Sequence, residues 1–284
     1  MINNNMRKDW QDTAVKRLVQ LLALIPGSFY GILARVSSRA LERNKGKVAR
    51  AAIKLALPGT SSEEVDRIAA TSARQSLEYM LSLPRLKHIR YVLHDLDVVR
   101  EAMTEDRGAI IISLHMGPPD LGTLALAQNG IAARTLIGAG KQKPWLNSLG
   151  RHALSQAGID FIQRGKPTAV VESLKAKNAV LLYSDMRSRE VPVTFFGQET
   201  SAPASGVYAA IVMKAPLIFH YCTFEDGCWQ LHFERFEPEQ AGKPKERAVH
   251  SCQQLIHRME AVIREHPQLW IWHYDRFKLK KKIQ

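Results

Sequence analysis

Ala109-Ile110-Ile111-Ile112-Ser113-Leu114-His115-Met116-Gly117-Pro118-Pro119-Asp120 is the stretch on which the fold turns. Its first six residues are a short, apolar, β-branched run, the pattern of a buried strand. Gly117-Pro118-Pro119 then forbids both a continuing strand and an uninterrupted helix. Pro119 followed by Asp120, Leu121, Leu124 and Leu126 reads as a helix start with a carboxylate at its positive end. Strand, turn and helix in that order are one unit of an α/β domain. Further buried strands are expected at 179–183 and 217–224, and an exposed, alternating one at 229–236. Helices fit 96–105, 145–157, 169–176, 205–214 and 245–265. Ser61-Ser62-Glu63-Glu64 has the form of a capping box opening another helix that Pro84 closes. The fold class is therefore α/β, one main sheet flanked by helices, with a helical N-terminal region. The expected division is a basic helical segment over 1–58 and an α/β domain over 59–284.

The 284 residues are 45% hydrophobic and 24% charged, near the average for a folded chain and far from that of a disordered one. Three cysteines make neither a disulfide framework nor a zinc site, which suits a reducing compartment. The net charge of +13 is concentrated at the ends. Residues 1–58 carry eleven basic and three acidic side chains, and residues 276–284 carry five basic and no acidic ones. The segment between them has 24 of each and is neutral. A nucleic-acid binder carries its field on the recognition domain itself, so nucleic acid is not the expected partner. Two basic ends on a neutral body fit an anionic surface such as a membrane leaflet.

The start of the chain lacks the features of a secretory signal. The uncharged run from Leu18 to Ala34 is broken by Pro26-Gly27 and falls short of the 20 or so apolar residues of a span. Flanked by Lys16, Arg17, Arg35, Arg39 and Arg43, it reads as a segment lying in the interface.

Three histidines are followed five positions later by a carboxylate: His115/Asp120, His220/Glu225 and His232/Glu237. Roughly one such pair is expected by chance. The latter two lie on expected strands, where residues five apart face opposite sides about 15 Å apart. Only the turn after His115 can fold its carboxylate back. A neutral imidazole takes a proton from a hydroxyl attacking a carbonyl, and a carboxylate fixes its tautomer. On spacing alone, a structural His–Asp pair and a catalytic one read alike. No serine or cysteine is placed as a nucleophile, and there is no P-loop, zinc-protease or dinucleotide fingerprint. No metal and no cofactor is expected.

With these residues in view, the chain resembles the lipid A late acyltransferases, the lauroyl and myristoyl transferases related to glycerolipid acyltransferases. His115-Met116-Gly117 with Asp120 is similar to that family's H-x4-[D/E] motif. Arg151 before His152-Ala153-Leu154 is similar to its arginine-containing helix, and Asp185 with Val193-Thr194-Phe195-Phe196-Gly197 to its D…FFG block. Glu260, Ile263, Arg264, Pro267, Trp270, Trp272, Tyr274, Arg276, Phe277 and Lys278 resemble its C-terminal signature, the most specific part of the match. Pro118-Pro119-Asp120 departs from the family's usual Asn-Trp-Glu. The resemblance implies a glycerolipid-acyltransferase-like mixed sheet with a membrane-contacting N-terminal region, on the cytoplasmic face of the inner membrane, peripheral or monotopic. It implies acyl carrier protein as the acyl donor and an anionic, glucosamine-disaccharide lipid as the acceptor. His115 would be the base, Asp120 its orienting acid, Arg151 a substrate-side residue, and Asp185 either substrate-side or structural. Because the middle of the chain is neutral, the arginines near the active loops, Arg151, Arg164, Arg187 and Arg189, are the candidates to meet the acidic carrier protein. Trp270 and Trp272 read as packing. Transfer to another acceptor, such as a lysophospholipid or glycolipid, and a non-catalytic binding module are the alternatives. The positioned His115 and Asp120 speak against the second.

Overall fold

The computed structural model describes residues 4–105, 107–138, 144–163 and 167–278. Seven strands form one mixed sheet in the order β1 (Tyr91–His94), β9 (Cys228–Phe236), β8 (Leu217–Glu225), β2 (Ala109–Ser113), β5 (Ala179–Tyr183), β3 (Ala133–Ile137), β4 (Asp160–Gln163). Strands β8, β2, β5, β3 and β4 run parallel, while β9 runs antiparallel to β8 and parallel to β1. A separate hairpin is made by β6 (Val191–Phe195) and β7 (Gln198–Ala202). The helices are α1 (Asn4–Leu24), α2 (Gly27–Ala56), α3 (Ser62–Ser82), α4 (Leu96–Thr104), α5 (Asp120–Gln128), α6 (Pro144–Ala157), α7 (Pro167–Lys175), α8 (Ser205–Met213) and α9 (Pro244–Glu265).

Strand β2 is central, and every one of its residues is buried. Ile110 and Ile112 face one core with α2, α3, α8 and α9, and Ala109 and Ile111 face a second with α4, α5 and α6. A strand covered on both faces must be apolar throughout, which is why this run does not alternate. Each buried isoleucine contributes on the order of 2 kcal/mol.

The expected strands and helices sit where the pattern put them, within a residue or two. Strand β9 is a correction: 229–236 is not exposed, because β1 pairs along its outer edge and Leu231 and Phe233 are fully buried. The capping box is half formed. Ser61 accepts the Glu64 amide at 3.2 Å, but the Glu64 carboxylate turns to Arg67.

Pro26 separates α1 from α2, and the two helices meet at 111°. Among the described residues no single helix is long and apolar enough to cross a membrane; only this bent pair together passes by length and composition. The first half of α2 is largely exposed, whereas Ala49, Ala52, Ile53 and Ala56 in its second half enter the main core.

Candidate active site

Strands β2 and β5 are parallel neighbours, with Ser113 opposite Tyr183. Two residues beyond each strand stand His115 and Asp185, side by side at the carboxyl edge of the sheet, where open α/β sheets bind ligands. The Ser184 amide donates to the Ser113 carbonyl at 3.0 Å and carries the pairing one step past the strands. His115 Nδ1 lies 2.8 Å from Asp185 Oδ1, and the His115 amide donates to Oδ2 at 2.9 Å. Trp270 Nε1 donates to the same Oδ2 at 2.9 Å. Asp185 is fully buried, and three donors fix it.

The loop that carries His115 is clamped from the C-terminal segment. The Gly117 amide donates to the Leu269 carbonyl at 3.1 Å, and Met116 bridges to Trp270. Gly117 takes φ +61°, and a Cβ there would overlap the Trp229 ring. Only glycine meets both demands without strain.

Burial disfavours the His115 imidazolium, but the charge and hydrogen bond of Asp185, with the charge of Asp120, outweigh it and raise the His115 pKa above 6.5. Burial likewise works to raise the Asp185 pKa; the His115 charge and the donors from His115 and Trp270 prevail and lower it. With Nδ1 held by Asp185, Nε2 is the ring nitrogen left to exchange a proton with a substrate.

Asp120, the residue expected to orient His115, does not hydrogen-bond to it. Its carboxylate accepts from the hydroxyls of Tyr79 and, at 2.6 Å, Tyr183, with Thr135 Oγ1 at 3.3 Å. The reason is geometric: Pro119 already has helical dihedrals and Asp120 opens α5, where its carboxylate meets Tyr79, Thr135 and Tyr183. Burial and the Asp120 charge push both tyrosine pKa values well above 10. Asp120 therefore acts on His115 through its charge and by way of Tyr183, whose ring centroid is 4.6 Å from the imidazole.

Arg151 is elsewhere too. Its guanidinium donates to Asp12 Oδ1 at 3.1 Å, and Ser148 and His152 close on the same carboxylate. The arginine fastens α6 to α1. Arg164 lies outside the described residues. Asp185, expected on the substrate side, hydrogen-bonds to His115, and Trp270, read as packing, both packs and donates. Their proximity to His115 follows from the β2–β5 register and from the return of the C-terminal segment, neither of which local pattern reveals.

His220 is fully buried, its Nδ1–H donates to the His232 carbonyl at 2.9 Å, and burial drops its pKa to about 4. It packs on Gly122 and stays neutral. Burial raises the thiols of Cys222 and Cys252, which are therefore not nucleophiles. Among the described residues no group of three His, Cys, Asp or Glu side chains is arranged to hold a metal.

The model of the bacterial lipid A biosynthesis acyltransferase family matches residues 3–279, nearly the whole chain. The chain belongs to that family. No curated protein matches it closely enough to count as a relative. Membership implies an acyltransferase acting in lipid A biosynthesis. The His115 loop and the C-terminal segment that resembled the family's signatures are the two pieces that meet around Asp185.

Proposed function

We propose that the protein transfers a fatty acyl chain from acyl carrier protein to a hydroxyl of a lipid A precursor, with His115 as general base. The observation that carries this reading is the His115–Asp185 pair at the sheet edge. His115 Nε2 takes the proton as the hydroxyl oxygen attacks the thioester carbonyl. Asp185 holds Nδ1–H and stabilises the imidazolium. Collapse of the tetrahedral intermediate breaks the C–S bond, and the imidazolium returns its proton to the departing sulfur. The thiol and the O-acyl ester are the products, and no enzyme nucleophile is consumed.

We also propose that the first two helices rest on the cytoplasmic face of the inner membrane. Leu18, Leu21, Leu24, Phe29, Ile32 and Val36 are about half or more exposed, an unusual density of solvent-facing apolar side chains. Lys16, Arg17, Arg35 and Arg39 are exposed around them. An apolar face rimmed by cations fits an anionic bilayer. The basic run Lys280-Lys281-Lys282 lies outside the described residues.

The deciding experiment is turnover of acyl carrier protein thioester with a phosphorylated glucosamine-disaccharide lipid by wild type and by His115→Ala. A general base supplies about 10²–10⁴-fold, so the folded variant should lose that much kcat. Near-normal turnover by His115→Ala would remove the assignment. Binding to vesicles of neutral lipid as tight as to anionic ones would remove the electrostatic part of the membrane reading.

A further inference from the structure

The β6–β7 hairpin and the C-terminal segment line an open cavity of about 660 Å³, whose Arg276 is close enough to feel the charge of Asp185. Arg187, Arg276 and Lys278 line it, against a single carboxylate, Glu199. Arg276 is 1% exposed, so a full positive charge stands almost out of water. Its Nη1 donates to Thr200 Oγ1 at 2.6 Å, and its guanidinium lies over the Phe195 ring at 5.2 Å. Nε and Nη2 have no hydrogen-bond partner among the described residues, and neither has the buried Nη1 of Arg187.

Asp185 is the nearest candidate to neutralise Arg276, and its charge does favour the guanidinium. Its oxygens accept from the His115 ring, the His115 amide and Trp270, and neither accepts from Arg276. The carboxylate therefore attracts Arg276 without satisfying its donors. Burial and the neighbouring Arg187 charge work against the Arg276 cation and lower its pKa to about 10, still charged at neutral pH. Buried charged donors are ordinarily paired. Nε and Nη2 of Arg276 are the open edge of one planar guanidinium, the fork that grips tetrahedral oxyanions, and Arg187 Nη1 adds a third open donor in the same cavity.

We propose that this cavity is a phosphate-binding subsite, in which Arg276 and Arg187 hold a phosphate ester of a substrate beside the acyl-transfer centre. The binding chemistry stands on the cavity alone; that the phosphate belongs to a substrate rests on the acyl-transfer reading. Two sources share the chemistry, the phosphodiester of the carrier protein's phosphopantetheine arm and the phosphomonoester of a glycolipid acceptor. Lys278, exposed at the rim, adds steering charge.

The test is inorganic phosphate titrated into the full chain at constant ionic strength, followed by thermal melting, with chloride as the control. A saturable rise in Tm with phosphate and none with chloride is expected. Arg187→Gln, half-buried and so less disruptive than a change at Arg276, should weaken the response at least tenfold while keeping the circular dichroism spectrum. Arg276→Lys should fall between, because an ammonium cannot supply the fork. Equal responses to phosphate and chloride, or an unchanged response in Arg187→Gln, would overturn the subsite. Pantetheine 4′-phosphate and glucosamine 1-phosphate are then competed against phosphate. Competition that is lost in Arg187→Gln names the source, and failure of both overturns the substrate part of the proposal. Intact phosphate binding in a wild-type protein without acyl transfer would count against the proposed function and leave the subsite standing.

Discussion

His115 and Asp185 each follow their strand by two residues, and because β2 and β5 are in parallel register this brings Nδ1 within 2.8 Å of Oδ1. The pair raises the imidazole pKa and lowers that of the carboxylate, despite burial acting the other way on both.

The pH profile follows from that direction. A general base works when neutral, so the acidic limb of kcat/KM should lie above pH 6.5, the ordinary histidine value. In Asp185→Asn the Asp185 charge is gone and burial is opposed only by the charge of Asp120, so the limb should move to lower pH while kcat falls by about 10²-fold or more. Stability has the opposite sign for the two groups. The raised His115 pKa stabilises the fold fully below about 6.5 and the contribution is lost as pH rises through the folded value. The lowered Asp185 pKa stabilises above about 3.9 and the contribution is lost as pH falls through its folded value. An unmoved limb in Asp185→Asn would show that another group sets it.

Gly117→Ala should damage both fold and turnover. The residue combines a left-handed φ of +61° with no room for a Cβ against Trp229. The backbone cost is about 1–2 kcal/mol, and displacing a packed indole adds about 1–3 kcal/mol. Because the same loop carries His115, kcat should drop further than the loss of Tm alone explains. Wild-type melting would mean that the loop has a second conformation open to it.

The strands and helices were legible because their patterns are local. Buried β-branched runs mark β2 and β5, and the 3.6-residue spacing of Cys252, Leu255, Ile256, Met259 and Ile263 marks α9. The edge strands β1 and β4 are four residues each, too short for a period to show, and in the hairpin β6 carries Pro192 and β7 (Gln-Glu-Thr-Ser-Ala) is almost wholly polar. The hairpin turn is hidden further by Phe196, which sits at φ +50° beside Gly197 at +71° where a pair such as Asn-Gly is usual. Distant residues hold it there: Glu260 accepts the Phe196 amide at 2.6 Å, and the Arg264 guanidinium lies 4.7 Å from its ring. The place of His115 at the sheet edge was legible for the same local reason, since a strand that runs into a histidine and a Gly-Pro-Pro turn exposes its tip. Its partner was not. Asp120 is near in sequence and Asp185 is near in space, and only the strand register decides between them.

Arg151→Ala should act on the docking of α1. The guanidinium shares Asp12 with Ser148 and His152, tying α6 to the first helix. The partners are 37% and 44% exposed, so the pair contributes at most about 1 kcal/mol. A small fall in Tm with kcat close to wild type is expected, and Asp12→Asn should reproduce it. A large kinetic loss at unchanged Tm would return Arg151 to the substrate side.

Asp120→Ala and Asp185→Ala should separate stability from chemistry. Asp120 accepts from three hydroxyls, those of Tyr79, Tyr183 and Thr135, at the root of α5. Its removal strands two buried phenols, each costing about 1–3 kcal/mol, and takes a favourable charge from the helix N-terminus, worth up to about 1 kcal/mol. The Tm of Asp120→Ala should therefore fall by several degrees, with a modest loss of kcat transmitted through the Tyr183 ring against His115. Tyr183→Phe tests that route, because it removes one hydroxyl and keeps the ring. It should recover most of the turnover that Asp120→Ala loses while remaining less stable than wild type. Asp185→Ala removes the group that touches Nδ1, so its kcat should fall close to that of His115→Ala. In the double variant with His115→Ala the kinetic losses should not add, since two residues acting as one unit are grossly non-additive. Asp120→Ala combined with His115→Ala should instead add in Tm. If Asp120, and not Asp185, proves non-additive with His115 in kcat, the carboxylate that serves the base in solution is the one five residues away, and the pairing across the strands is structural.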